Sequence, residues 1–243
     1  MIDLHCHLHY GCDDGPEHAQ HTIDLARGLV EQGVTKVACT PHIRSDKGWM
    51  NTADKQDALL QQTRALLSEH HIPLEIAKGA EHYVDETLFA QPFAGHVVPF
   101  ADTRWLLIEL PYQGEPPGLF ELLYRIRQEG YRVLLAHLER FPYVCDHPEK
   151  IERLLDSGVL VQVNLGSLAG AYSRAHKKAA QKLLKAGYVS VLSSDCHKAD
   201  DVKPFIVKGK KVLEKIAPDM SDRLLVGNPA AILDDKDPHR IWP

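Results

Sequence analysis

The chain lacks any uninterrupted apolar run approaching the ~18 residues that mark a membrane span, and no basic segment followed by an apolar stretch opens it. Neither a signal peptide nor direct membrane insertion is expected, so the default location is cytoplasmic. Runs of five or six Lys or Arg are also missing, and Lys plus Arg number 28 against 33 Asp plus Glu, a formal net charge of −5. That balance offers no footprint for nucleic acid. Cysteines are few and scattered, at positions 6, 12, 39, 145 and 196, odd in number and without a C-x-x-C pair. Both a disulfide framework and a zinc ribbon are thereby disfavoured, and reduced thiols are expected. No linker, low-complexity tract or short repeat divides the 243 residues, which predicts a single domain over 1–243.

What the chain does have is an alternation of short β-branched or apolar runs with helical patterns, the signature of parallel βαβ units. Strands are expected at Ile2 to His7, Lys36 to Pro41, Leu74 to Glu81, Trp105 to Leu110, Arg132 to His137, Val159 to Asn164 and Val189 to Asp195. Helices are expected at Glu17 to Gln32, Thr52 to His70, Leu119 to Glu129, Pro148 to Ser157, His176 to Ala186 and Lys203 to Ile216. Gly33, Gly130, Gly158 and Gly187 each precede a strand, where a left-handed helix C-cap suits glycine. Between Tyr83 and Arg104 the pattern is less regular, with a short helix and extra loop structure expected.

Histidine is abundant, at 15 residues, and several stand where strands end. His7, His42, Glu81, Glu109, His137 and Asp195 all fall at or just past a predicted strand's C-terminal end, and a closed barrel gathers that many strand ends around one centre. In "HCH", His5 and His7 share one face of a strand while Cys6 points to the other; the same spacing recurs at Asp195 and His197 around Cys196. Burying so many ionisable groups without an ion would be costly, so the set points to metal.

Taken in order, "HCH...DDGP", "CTPH", "GAEH", "LIELP", "AHLERF" and "SSDCH" resemble the polymerase and histidinol phosphatase (PHP) superfamily. Within it the chain is similar to the bacterial tyrosine-protein phosphatases of capsule and exopolysaccharide synthesis, from Ile2 to about Pro229. The resemblance implies a distorted seven-stranded (β/α)7, TIM-like α/β barrel with three metal ions at its C-terminal mouth. It implies that His5, His7, Glu81 and Asp195 hold the first ion, that Glu81, Glu109 and His137 hold the second, and that Asp14, His42 and His197 hold the third. Nitrogen and oxygen ligands without thiolate suit manganese, iron or zinc, and manganese is the leading expectation.

Three divalent ions outweigh the carboxylates of Asp14, Glu81, Glu109 and Asp195, so a phosphate monoester is drawn in despite the negative chain. Coordination brings the pKa of water toward ~7, which predicts direct attack by hydroxide on phosphorus. Arg140, after His137 in "HLERF", is expected to offer its planar fork to the phosphate, and Lys203 in "DDVKPF" stands where relatives often carry a second basic contact. No cysteine opens a C-x5-R phosphate loop, which excludes the cysteine nucleophile of ordinary tyrosine phosphatases. The predicted substrate is a phosphotyrosine-bearing protein, with a membrane-associated, autophosphorylated tyrosine kinase as partner. The alternative is a superfamily phosphatase of histidinol phosphate or a sugar phosphate; Asp14 and Glu109, where many of those carry His, favour the tyrosine branch. A non-catalytic scaffold is opposed by the complete ligand set. A metal-dependent amidohydrolase is opposed by the lack of a bridging lysine at a strand end. Departures from the family pattern are Cys6, His9, Cys12 and Leu138, none of them a ligand.

Overall fold

The structure, a computed structural model, describes residues 1–86, 88 and 96–239. Ten strands appear among these residues: β1 Ile2–Cys6, β2 Lys36–Cys39, β3 His42–Arg44, β4 Trp49–Met50, β5 Glu75–Lys78, β6 Glu81–Tyr83, β7 Trp105–Glu109, β8 Arg132–Leu135, β9 Leu160–Asn164 and β10 Val191–Ser193. They pair in the orders β1-β2-β5 and β10-β9-β8-β7-β6-β3-β4, parallel throughout except for the β3–β4 hairpin. The fold is α/β with a parallel sheet. β2 runs on into β3 through Thr40 and Pro41, and β5 into β6 through Gly79 and Ala80. At the far edge a parallel bridge joins Cys6 to Cys196, with the Asp195 N–H donating to His5 O at 2.8 Å.

The expected strand at Leu74 to Glu81 is thus two pieces, and the hairpin His42–Met50 is an addition to the expected pattern. Pro41 has no N–H to donate, so the ladder breaks there. At Gly79 a Cβ would come within 3.0 Å of Phe100 and 3.2 Å of Thr40, so the backbone bends in close only without a side chain. Helices at Ala19–Glu31, Ala53–Glu69, Leu119–Gln128, Pro148–Asp156 and Arg174–Lys185 occupy the expected places. The last expected helix opens with a π-helical turn at Lys203–Val207 before continuing over Lys208–Ile216. Short helices at Leu165–Ala169 and Asn228–Leu233 were not expected. The four pre-strand glycines all have positive φ, from 76° to 86°. Within the stretch Tyr83 to Arg104, where a short helix was expected, positions 87 and 89–95 lie outside the described residues. Among the described residues no helix is long and apolar enough to cross a membrane.

Strand alternation explains where the polar residues go. Ala38, Trp105, Leu107, Leu134, Leu160 and Val191 form one apolar cluster on one sheet face, with Ile232 of the helix Asn228–Leu233 packed into it. Two or four residues further along the same face stand His42, Glu109, Gln162 and Asn164. The intervening residues Val37, Cys39, Leu106, Ile108, Val161 and Val163 face the helices in two larger clusters. One face therefore turns from apolar to ionisable as the strands reach their C-terminal ends.

Candidate metal centre

Glu81, first residue of β6 and 1% exposed, is the hub. Its Oε2 lies 3.2 Å from His5 Nε2, 3.4 Å from His7 Nε2 and 3.1 Å from His42 Nδ1, while Oε1 lies 2.9 Å from His137 Nε2. Asp195 Oδ1 completes one side, 3.3 Å from His5 and 3.6 Å from His7. On a second side Glu109 Oε1 is 3.6 Å from His137 Nε2. On a third, Asp14 Oδ1 lies 3.5 Å from His42 Nε2 and 3.3 Å from His197 Nε2. All nine residues read from the sequence as ligands come together. They form four overlapping sets, His7/Asp14/His42/His197, His5/His7/Glu81, His5/His137/Asp195 and His42/Glu81/Glu109, each with its ligand atoms within 4.8 Å.

These spacings test whether a metal fits. Two ligand atoms each ~2.1 Å from one ion stand roughly 3.0–3.4 Å apart at octahedral or tetrahedral angles. His5 Nε2 and His7 Nε2 are 3.4 Å apart, and their distances to Glu81 and Asp195 run from 3.2 to 3.6 Å, all but the His7–Asp195 distance within that range. Buried Glu109 Oε2 has no hydrogen-bond partner, and His42 Nδ1, though 3.1 Å from Glu81 Oε2, makes no hydrogen bond with it, a costly state for groups that an ion would satisfy. The donors are all imidazole nitrogen and carboxylate oxygen, so the residues fit a divalent ion.

The alternation read from "HCH" is borne out. The His5 and His7 rings lie 5.4 Å apart, and Cys6 is buried under the helices. Two site residues sit in strained backbone, His137 at φ 29° and Asp195 at φ 56°. Such positions concentrate at functional sites.

The electrostatics describe a cluster built around positive charge. Burial opposes charge on His5, but Glu81 and Asp195 outweigh it and lift the imidazole to about 9. Burial and then Glu81 push Glu109 up to about 8. Glu81 and Asp195, despite burial, are held well below the carboxylate range by His5 and other imidazoles. Burial, reinforced by Arg140, drops His137 to about 4, which leaves it neutral near pH 7.

A second layer of polar residues holds these candidates. Asp13 Oδ2 lies 2.7 Å from His7 Nδ1, and Gln162 Oε1 lies 3.2 Å from His5 Nδ1 and accepts the His137 N–H at 2.8 Å. Asn164 Nδ2 donates to Asp195 Oδ2 at 2.7 Å, and Asn51 Nδ2 donates to His42 O at 2.7 Å. His9 turns away to Thr63 Oγ1 at 2.7 Å, and burial lowers it to about 4, so it is a neutral packing residue. Cys12 is buried beside Asp13, and Leu138 lies in the apolar core.

Seven of the nine candidates, all but the buried His5 and His7, line a cleft of about 320 Å³. Arg140 lines it too, with Nη1 3.4 Å from Asp195 Oδ2 and its guanidinium stacked near Tyr112 and Tyr172. Lys203 is exposed and absent from the lining; Asp201 and Phe205 from its segment face the cleft instead. The π-helical turn Lys203–Val207 begins at this lysine, and it is Phe205 that turns inward onto Tyr172, with ring centroids 4.9 Å apart. The second cleft-lining guanidinium is Arg44, which the sequence reading passed over. Asp46 clamps its Nε at 2.8 Å, and the Tyr83 ring lies 3.9 Å beneath it. An arginine two residues after a ligand histidine was the available signal, hidden because β3 was not recognised. Tyr112, whose hydroxyl donates to Glu109 at 2.8 Å, and Tyr172 were missed as well.

The family model for capsular polysaccharide synthesis proteins of the CpsB/CapC type matches residues 1–234. The chain belongs to the CpsB/CapC family. The tyrosine-protein phosphatase YwqE of Bacillus subtilis is 29% identical over 88% of this chain and 84% of its own length. The tyrosine-protein phosphatase CpsB of Streptococcus pneumoniae is 27% identical over 97% of this chain and 99% of its own. A crystal structure from a study of YwqE and CpsB as metal-dependent tyrosine phosphatases superposes with a TM-score of 0.91 at 26% identity, covering 99% of this chain and 97% of the other. An organophosphorus hydrolase of Deinococcus radiodurans shares the fold at TM-score 0.57 and 14% identity. The capsule-associated phosphatase resemblance read from the motifs is borne out by this membership.

Proposed function

We propose that this CpsB/CapC family member is a metal-dependent protein-tyrosine phosphatase acting on a phosphotyrosine-bearing protein of capsular or exopolysaccharide synthesis. The observation that carries the reading is the convergence of nine ligand-type side chains, seven lining one cleft that also holds Arg140 and His5 and His7 buried directly behind it. With β2/β3 and β5/β6 each counted as one kinked strand and the antiparallel hairpin strand β4 set aside, we read the sheet as a distorted seven-stranded barrel. One domain then covers the chain, with the metal site at the C-terminal mouth. The partner is an autophosphorylated, membrane-associated tyrosine kinase, and five reduced, buried cysteines support a cytoplasmic setting.

In this reading His5, His7, Glu81 and Asp195 hold one divalent ion, Glu81, Glu109 and His137 a second, and Asp14, His42 and His197 a third, with manganese as the first candidate. Such ions supply Lewis acidity and lower the pKa of water to near neutrality when bound. The protein's own part is orientation and charge. Asp13, Gln162 and Asn164 hold His7, His5 and Asp195 in place, which keeps the constellation from rearranging. Arg140 directs its guanidinium at the phosphoryl oxygens, and its aromatic neighbours hold the planar fork in one orientation. Arg44 offers a second cation from the other wall. A tyrosyl phenolate has a pKa near ~10 and departs without a strong acid beside it. All five cysteines lie outside the cleft lining, so no thiol is in place to form a phosphocysteine.

The test is hydrolysis of a phosphotyrosine peptide by the purified protein with manganese, with and without chelator. Metal-dependent release of phosphate supports the reading. Much faster turnover of a phosphorylated metabolite than of any phosphopeptide would transfer the assignment to a small-molecule phosphatase.

A further inference from the structure

The strongest charge feature of the molecule is not used by the cleft. Between Arg174 and Lys215 stand eleven Lys or Arg against four Asp or Glu, a surplus of seven in a chain whose formal net charge is −5. The cations are too spread along the sequence to read as a patch, but the fold packs the helices that carry most of them against a shared neighbour. Helices Arg174–Lys185 and Lys208–Ile216 both pack on the short helix Leu165–Ala169, which follows β9. The packing is close: a Cβ at Gly209 would stand 2.5 Å from Leu165 O.

Arg174, Lys178, Lys198, Lys203, Lys208 and Lys211 are exposed, and none makes an ion pair among the described residues. Three of them adjoin the cleft. Arg174 is two residues past Tyr172, Lys198 follows His197, and Lys203 lies between Asp201 and Phe205; those four neighbours all line it. Tyr172 and Phe205 bring the starts of the two basic segments together at one wall. The acidic residues here offset only part of this charge. Asp201 Oδ2 accepts the N–H groups of His197 and Lys198, at 3.0 and 3.1 Å, Asp195 belongs to the ligand cluster, and Asp200 and Glu214 stand exposed among the cations. Along the other wall Asp46 is engaged by Arg44 and Asp85 by Ser45, so the cleft has one strongly cationic flank.

We infer that this flank is a docking surface for an acidic polypeptide carrying the phosphotyrosine, which holds the residues around the phosphorylated side chain while the phosphate enters the cleft. The inference rests on the phosphatase reading of the cleft. Several exposed, unpaired cations attract an extended acidic chain without a shaped pocket, and they act mainly on encounter and register. A membrane fits the position less well, because a bilayer resting on cations at the rim would cover the opening.

The experiment compares the full-length protein with R174E/K178E/K211E, and with R174Q/K178Q/K211Q as a milder change. The substrates are a phosphotyrosine peptide with Asp and Glu flanks, the same peptide with neutral flanks, and p-nitrophenyl phosphate. The expected result for the charge reversal is a fall of about tenfold in kcat/KM on the acidic peptide at low salt, with the Gln variant intermediate and the gap closing at about 0.5 M salt. The neutral peptide and p-nitrophenyl phosphate should change by less than about twofold. Equal losses on all three substrates, or no loss on the acidic peptide, would overturn the inference. So would intact peptide turnover combined with lost binding to phosphatidylserine vesicles or to duplex DNA. If the parent hydrolyses none of the substrates, the phosphatase reading fails by itself. Fluorescence anisotropy of the acidic peptide then still decides docking: tighter binding by the parent supports it, and equal binding contradicts it.

Discussion

Asp13 Oδ2 lies 2.7 Å from His7 Nδ1 and also accepts the backbone N–H of His42 at 3.0 Å. One carboxylate thus fixes the tautomer of one candidate ligand and the main chain of another. His7 holds Asp13 ionised well below the usual range despite burial. Asp13→Asn keeps the shape and loses the charge, and metal affinity is expected to fall about 10–100-fold. Metal titration followed by activity checks this: the variant should recover most of its turnover at excess metal, whereas a change at His7 itself should not.

Metal binding should expel protons. In the metal-free protein His5 is held up to about 9 and Glu109 up to about 8, so both carry protons at pH 7 that an ion must displace. Apparent metal affinity therefore rises with pH through this range. Calorimetric titration in buffers of different ionisation enthalpy should give a net proton release at pH 7. The metal-free fold responds in the opposite sense. Raised folded values mean that these two groups stabilise it fully below their unfolded values, ~4.3 for Glu and ~6.5 for His, and that the contribution is lost as pH climbs through about 8 and 9. Thermal melts of metal-stripped protein should accordingly drop between pH 7 and 9.5, and added metal should remove most of that drop.

Arg140→Lys retains a charge but gives up the fork held beside Tyr112 and Tyr172. A loss of roughly tenfold or more in kcat/KM on phosphotyrosine substrates is expected, about 1.4 kcal/mol of transition-state stabilisation, with metal content unchanged. Arg44→Lys should give a smaller loss of the same kind. Lys203→Ala should leave p-nitrophenyl phosphate turnover near that of the parent, since its side chain stands outside the cleft.

Gly209→Ala isolates packing from chemistry. The added Cβ would meet Leu165 O at 2.5 Å and Leu165 Cβ at 2.8 Å, so two helices must separate. Destabilisation of about 1–3 kcal/mol is expected, measured as a lower melting temperature with metal stoichiometry retained.

How much of this was legible in the sequence follows from how local each signal is. Part of the candidate set was readable from strand alternation, since His5 and His7 share a face by spacing alone and Glu109 follows Leu107 on the inward face of β7, whereas the full set, with Asp14 from a loop, came only through the family resemblance. Strand breaks were not readable. Pro41 interrupts a run that otherwise looks continuous, and the bend at Gly79 depends on Phe100 and Thr40, which approach from elsewhere in the chain. The supporting layer was hidden for the same reason. Gln162 and Asn164 look like ordinary strand residues until β9 lies beside β8 and β10. Lys203 and Arg44 show the limit for cations: proximity in sequence to a motif favoured the former, and the position of β3 favours the latter.

The central claim is that turnover depends on divalent ions held by these nine residues. Elemental analysis and phosphotyrosine-peptide hydrolysis on one preparation, before and after chelation, test it most directly. The account predicts bound divalent metal and robust hydrolysis at the start, loss of both together on chelation, and recovery with manganese in the parent but not in Asp195→Ala. Undiminished hydrolysis by a sample shown to be free of metal would contradict it.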